Sequence, residues 1–378
     1  MSYYAIDLFS GAGGLSAGLE SGGFKIAYAS DINADMCKTY QYNHPNTVVD
    51  QRDISELTWK NIKESTKLKK SDIKLISGGP PCQGFSTVGK KDESDPRNKL
   101  FVQYVRIIRE VNPDFVIFEN VFGFKKLYQG RAFEAVCKEF RDLGYTINNK
   151  ILNAINYGVP QHRERTFIIA HSKKLKFSWP KKTHGTENKN DLFNENLKKP
   201  LTLEDALGDL PLVESGRKNE YYSSSPKNSY QKKRRKNCNH LTEHVGPRHG
   251  ESLLYRIKLI PKGGSVLDLP EQLRPKSYFN NTYARLLWDK PATTITRNFS
   301  TPSSSRCIHP FLNRGLTTRE GARLQSFDDD YVFFGKSKSS KNLQIGNAVP
   351  PLLAHNLGRE IMSGIKRKEE IDDNRPNN

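Results

Sequence analysis

Tyr3-Tyr4-Ala5-Ile6-Asp7-Leu8-Phe9-Ser10-Gly11-Ala12-Gly13-Gly14 opens the chain with a short apolar run that ends in a cluster of glycines. A run of that length, closed by glycines, reads as a buried strand turning sharply into a helix. Glycines at such a turn let the backbone approach a ligand held at the N-terminus of the helix that follows. A nucleotide-like cofactor, the dinucleotide of a dehydrogenase and plain turn chemistry all fit this one segment, so it sets the architecture before it sets the ligand.

Working outward, four more apolar runs read as buried strands: KIAYAS at 25–30, IKLISGG at 73–79, DFVIFEN at 114–120 and TFIIAH at 166–171. Between them lie helical stretches at 13–22, 34–43, 98–111 and 131–143. This alternation predicts an α/β fold, a doubly wound Rossmann-like parallel sheet whose ligands bind beyond the carboxyl ends of the strands. The regularity fails from 172 to 311, which reads as a smaller, loop-rich domain. Helical patterning returns in TTREGARLQSF (317–327) and PPLLAHNLGREIMSGI (350–365), expected to pack back onto the first domain. The expected boundaries are therefore 1–171, 172–311, 312–365 and a frayed polar tail at 366–378.

The 60 Lys and Arg outnumber the 41 Asp and Glu, leaving a formal charge of +19. Residues 171–300 hold 25 of those cations against 13 acids, so 12 of the 19 net charges lie on about a third of the chain. Regional basicity of this size points to a polyanion rather than a neutral metabolite. No run approaches the roughly 20 apolar residues of a membrane span, and the N-terminus lacks a secretory pattern, so a soluble cytoplasmic protein is expected. Five cysteines without a Cys-x-x-Cys pair indicate neither a disulfide framework nor a zinc ribbon. Cys238, His240, His244 and His249 fall within twelve residues, but their spacing fits no common finger, and no metal is expected.

The most informative segment is Gly78-Gly79-Pro80-Pro81-Cys82-Gln83-Gly84-Phe85-Ser86, directly after a predicted strand. A lone loop cysteine is usually structural. Here two prolines fix the backbone before Cys82 and glycines on both sides leave its sulfur accessible, which is how a thiolate nucleophile is presented. Glu119, ending another strand, falls on the same sheet edge and can exchange a proton with a substrate ring, or it caps the next helix. Arg163 and Arg165 in Gln161-His162-Arg163-Glu164-Arg165 lie two apart on an extended segment, giving two cations for a polar base edge or merely a basic surface. Asp31 and Asp53 close successive apolar runs beside the glycine turn and serve either a ribose and adenine or as helix N-caps.

DLFSGAGG, GGPPCQGFS, ENV, QHRER, TTREGARLQSF and QIGNAVPPLLA occur in this order and resemble the ordered motif set of the DNA (cytosine-5) methyltransferases, of bacterial restriction-modification type. The resemblance implies that Phe9, Gly11, Gly13, Asp31, Asp53, Ile54, Pro80, Leu100 and Asn347 line an S-adenosylmethionine site. It implies that Cys82 is the nucleophile and that Glu119, Arg163 and Arg165 hold a flipped cytosine, which must leave the duplex for its ring face to be attacked. Residues 172–311 become a target-recognition domain on double-stranded DNA. Thr293, Thr294, Thr296 and Arg297 are candidate backbone contacts, with Gln83, Ser86 and Arg97 near the extruded base. Ile32 stands where some relatives carry a tryptophan against the adenine, and Asp31 where glutamate is common. The KKRRK run at 232–236 reads equally as a phosphate contact or a solvated face. A monomer is expected, paired in function with a restriction endonuclease. The rival readings are a tRNA cytosine-5 methyltransferase of the same fold and a non-catalytic DNA-binding regulator.

Overall fold

The computed structural model describes residues 2–81, 96–185, 197–236, 238–304 and 306–373, leaving aside the side chains of 96–99 and 372–373. The chain forms two compact units, the first from residues 1–153, 164–181 and 353–378, the second from 154–163 and 182–352. Residues 312–352 thus belong to the second unit, where the sequence pattern had them completing the first. The first unit is built on seven strands: β1 (Tyr4–Leu8), β2 (Lys25–Asp31), β3 (Val48–Gln51), β4 (Ile73–Gly78), β5 (Phe115–Val121), β6 (Thr146–Asn153) and β7 (Glu164–His171), in the order β3-β2-β1-β4-β5-β7-β6. Strands β1 to β5 pair in parallel, but β7 runs antiparallel to both β5 and β6, so the sheet is not wholly parallel as expected. β6 escapes the apolar-run reading because it is an edge strand with largely polar, partly exposed residues.

Helices α1 (Gly14–Ser21), α2 (Ala34–Asn43), α4 (Pro96–Val111) and α5 (Arg131–Asp142) match the predicted amphipathic stretches, and α3 (Trp59–Thr66) adds a short one. Alternate residues of the strands feed opposite faces, as the two-residue period of a strand requires. Ile6, Val116 and Phe118 share one core with Tyr104 and Ile108 of α4 and with Phe140 of α5. On the other face Phe115 meets the long C-terminal helix, residues 351–373, where a Cβ on Gly364 would stand 3.2 Å from its ring and 2.6 Å from Lys176 O. That helix carries regular structure to Asp373, through residues expected to fray from 366.

A single buried carboxyl ties the ligand edge of this sheet together. Asp7, only 1% exposed, accepts hydrogen bonds from Ser16 Oγ of α1 at 2.6 Å and Ser77 Oγ of β4 at 2.7 Å. Tyr40 Oη of α2 donates to the same Ser16 hydroxyl at 2.6 Å. Burial pushes the Asp7 carboxyl up to about 6, against the hydroxyl bonds and nearby His44, while Asp31 adds to the rise.

The second unit is held by buried charge as much as by apolar packing. Its helix α6 (Thr318–Leu324) is buried at every position and opens with a capping box between Thr317 and Glu320. Arg314 grips Glu320 through two 2.8 Å bonds, and this pair holds the Glu320 carboxyl well below its usual range although burial alone would raise it. Arg323 bonds Asp329 at 2.5 Å and Asp209 at 3.0 Å, all three residues wholly buried. The KKRRK run is drawn into this framework. Arg234 is buried and pairs with Asp328, Arg235 reaches Asp209, and Lys236 meets Asp328. Only Lys232 and Lys233 of the five face outward without an ion pair among the described residues.

Two substitutions test these frameworks. Arg323→Met strands two buried carboxylates, and removing one partner of a buried pair costs about 3–5 kcal/mol, to be seen as an earlier urea transition. Asp7→Asn isolates one titration. The folded Asp7 pKa lies above its ordinary 3.8, so the native state binds that proton more tightly. Its stabilising contribution is full below pH 4 and is lost as pH rises to about 6. The stability of wild type relative to Asp7→Asn should fall by roughly 2–3 kcal/mol across that window and level off above it.

Candidate active site

The turn after β1 is shaped by left-handed backbone at Phe9 (φ 55°), Gly11 (φ 54°) and Gly13 (φ 86°). Only glycine takes this region without steric cost, which explains the repeated glycines. Gly11 N–H donates to Asp31 Oδ2 at 2.9 Å, and Asn33 N–H to Oδ1 at 2.9 Å, so the acid at the end of β2 clamps the turn. Burial raises the Asp31 pKa, and the amides of Asn33, Gly11 and Ile32 oppose the rise. The N-cap of α2 is Asn33, not Asp31. Asp53 does perform local capping: its Oδ1 accepts from Ser55 N at 2.8 Å and Ser55 Oγ at 2.7 Å, and these bonds lower its pKa. Ile54 is buried and Leu100 packs against the main core. Ile32 beside Asp31 is 66% exposed, an apolar side chain at the sheet edge with nothing over it among the described residues.

Strand β4 delivers Gly79 and the buried Pro80 to this edge. Pro80 O accepts from Asn120 Nδ2 at 3.1 Å, which pins the chain two residues before Cys82. A Cβ on Gly79 would stand 3.0 Å from Glu119 Oε2, so a side chain there would press on the carboxyl. Cys82, Gln83 and Ser86 themselves lie outside the described residues, as does the side chain of Arg97.

Glu119 Oε1 pairs with Arg165 Nε at 3.1 Å, each side chain 13% exposed. The ladder register explains the meeting. Val121 of β5 faces Arg165 and Glu119 faces Phe167 across an antiparallel pair, so Glu119 and Arg165 are diagonal neighbours on one face. Burial lowers the Arg165 pKa while Glu119 opposes that shift. Arg163, expected to help hold the base, is wholly buried instead. Its guanidinium donates to Ile295 O at 2.9 Å and to Gly346 O and Ala348 O at 2.8 Å each. A side chain sealed from solvent and committed to main-chain carbonyls braces backbone and does not touch a base.

The remaining candidates lie in the second unit. Thr294 Oγ1 donates to His162 O at 2.6 Å, Thr293 Oγ1 lies 3.9 Å from Cys307 Sγ, and Thr296 and Arg297 are exposed. Asn347 ends helix α7 (Lys338–Asn347) and is exposed. One residue earlier, a Cβ on Gly346 would stand 2.3 Å from Arg297 N, so this glycine lets 296–297 lie on the helix. The Cys/His group is spent on other bonds: Cys238 Sγ with His240 O, buried His244 between Thr317 Oγ1 and Pro211 O, and His249 Nε2 accepting from Gly315 N–H. No helix among the described residues is long and apolar enough to cross a membrane.

Sequence reasoning missed Asp7, Ser77 and Asn120 as site-building residues. Their signal was present as polar residues inside runs that are otherwise apolar and buried.

The model of the C-5 cytosine-specific DNA methylase family matches residues 3–363. Type II methyltransferase M.DdeI of Desulfomicrobium norvegicum is 37% identical, over 94% of this chain and 88% of its own. Type II methyltransferase M1.HphI of Haemophilus parahaemolyticus is 34% identical, over 96% of this chain and 87% of its own. Among solved structures, a prophage-encoded E. coli protein assigned as a DNA modification methyltransferase matches with a TM-score of 0.75 at 28% identity, covering 97% of this chain and 100% of that one. Spodoptera frugiperda DNMT2, 18% identical, shares the fold with a TM-score of 0.63 over 96% of this chain and 100% of its own. The glycine turn clamped by Asp31 and the Gly79-Pro80 segment pinned beside the Glu119–Arg165 pair accord with a family match over nearly the whole length, and the chain belongs to the C-5 cytosine-specific DNA methylases.

Proposed function

We propose that this DNA cytosine-5 methyltransferase acts on a cytosine rotated out of duplex DNA, with S-adenosylmethionine as methyl donor and Cys82 as covalent nucleophile. The observation that carries the reading is the Glu119–Arg165 pair beside the pinned Gly79-Pro80 entrance to Cys82.

The residues at the sheet edge fit the donor. The left-handed turn at Phe9, Gly11 and Gly13 leaves an open cradle, where a Cβ on Gly11 would approach only Met36 Sδ, at 3.9 Å. Asp31 fixes that cradle, Asp53 keeps Oδ2 without a partner among the described residues, and Ile32 offers an apolar surface for a planar ring. Ile54, Pro80 and Leu100 complete the set proposed within the first unit. When bound, the cofactor supplies a methyl group activated by its positive sulfur.

The chain's own groups handle the ring. Cys82, as thiolate, forms a bond to carbon 6, and carbon 5 gains the electron density needed to take the methyl group. Glu119 holds a proton at ring nitrogen 3 during that addition, and Arg165 fixes Glu119 and stabilises the carbonyl oxygen, preorganised electrostatics in a half-sealed site. Once carbon 5 carries the methyl group and the donor is left as a neutral thioether, loss of the carbon 5 proton to water re-forms the carbon 5–carbon 6 double bond and expels Cys82 as its thiolate. Arg163 contributes only by bracing the backbone near Ile295 and Gly346. Resemblance to the Type II enzymes M.DdeI and M1.HphI supports a modification role paired with a restriction endonuclease.

Bisulfite sequencing of plasmid from a methylation-free host expressing the chain should reveal protected cytosines in one short context. Cys82→Ser should abolish protection while duplex binding persists; substantial methylation by the variant would sink the nucleophile assignment. Glu119→Gln should lower kcat by about 10²–10⁴-fold, the usual size of a lost general acid–base contribution, with cofactor affinity near wild type.

A further inference from the structure

The second unit contains a cavity of about 580 Å³ whose walls come from Gly216, residues 245–249, 297–298 and 300–301, and Lys338, Ser339 and Asn342 of α7. Three cationic side chains line it, Arg248, Arg297 and Lys338, with His249 beside them, and no acid is among its lining residues. Neither Arg248 nor Arg297 has an acidic partner among the described residues. The Arg248 stem lies against Gly216, whose added Cβ would meet Arg248 Cγ at 3.1 Å. Lys338 Nζ donates to Val245 O at 3.1 Å. Burial lowers its pKa, Glu243 opposes this, and Arg314 and Arg248 add to the lowering. Glu243 is already engaged by Lys341 at 2.6 Å. His249 Nε2 accepts from Gly315 N–H at 3.1 Å, which leaves its Nδ1 as a further donor. Three like charges gathered in one concavity repel one another, and an anion placed among them removes that cost.

We infer that this cavity seats one phosphodiester of the DNA backbone, gripped by Arg248, Arg297 and Lys338. The assignment rests on the reading of this chain as an enzyme of duplex DNA. It deepens that reading by naming a contact that sets register on the duplex without reading sequence. A guanidinium fork suits two phosphate oxygens, and the lysine adds a point charge. The cavity also gives Arg297 a more specific role than a general backbone contact.

The test is duplex binding by fluorescence anisotropy across a salt series, using DNA that carries the methylated context. Arg248→Gln combined with Lys338→Gln should weaken binding on the order of tenfold near 0.1 M salt and reduce the slope of log affinity against log salt by about 1, the share of one phosphate. A scan placing a neutral methylphosphonate at each position in turn should find one phosphate whose neutralisation weakens the wild type but not the double variant. Thermal melting checks that the variant folds, and the single change at exposed Arg248 provides a milder second variant. A wild-type salt slope in both variants, with every methylphosphonate penalty retained, overturns the site. Binding of inorganic phosphate by the wild type with an unchanged duplex slope also overturns it, in favour of a free-phosphate site. Failure of the wild type to bind duplex would bring down the broader reading and this site together, whereas wild-type binding with unchanged variants removes the site alone.

Discussion

Strand β7 runs against its neighbours, and the pairing of Glu119 with Arg165 depends on that reversal. In a parallel arrangement the start of β7 would lie at the amino edge of the sheet, a full strand length from the end of β5. Run backwards, it sets Arg165 opposite Val121 and diagonal to Glu119, on the edge where β4 releases Gly79 and Pro80. The β6–β7 hairpin is thus more than a margin of the sheet. It converts a motif lying ahead of a strand into a residue at the carboxyl ends of the other strands, where open α/β folds bind their ligands.

Around that edge the fold uses buried polar groups as joints. Asp7 joins α1 to β4 through two serine hydroxyls, and Asn120 holds Pro80 from the neighbouring strand. A hydrogen-bonded buried polar group has a narrow set of acceptable geometries, because an unmade bond there is costly. Such joints fix loop positions more tightly than apolar contact, which tolerates sliding. The second unit follows the same logic with full charges: Arg314, Arg319 and Arg323 are sealed inside, bound to acids and carbonyls of segments far apart in sequence. A loop-rich domain with few long apolar segments gains from such anchors the definition that regular packing supplies elsewhere.

This also explains why regional charge is a blunt guide to a DNA surface. Of the five cations in KKRRK, Arg234, Arg235 and Lys236 are occupied with Asp209 and Asp328. The unneutralised cations of the cavity, by contrast, come from separate segments, and none belongs to a basic run. Partner acids decide which positive residues are available to an outside anion, and those acids are brought in by folding.

The amino-acid sequence alone determined the alternating strands and helices of the first unit, the turn at Gly11 and Gly13, and the ordered motifs that mark the family. Those are local properties, set by apolar periodicity and by backbone conformations that only glycine or proline favours. It also placed Glu119 and the Gly79-Pro80 segment on one edge, since both lie at the carboxyl ends of apolar runs that alternate with helices. Tertiary structure decided the rest. It reversed β7, gave Arg163 and Arg165 different surroundings although they lie two residues apart, and assigned 312–352 to the second unit. Strand direction, burial and ion pairing depend on residues more than a hundred positions away, such as Ile295 and Gly346 around Arg163, and no local pattern encodes which distant carbonyl or carboxylate will meet a given side chain.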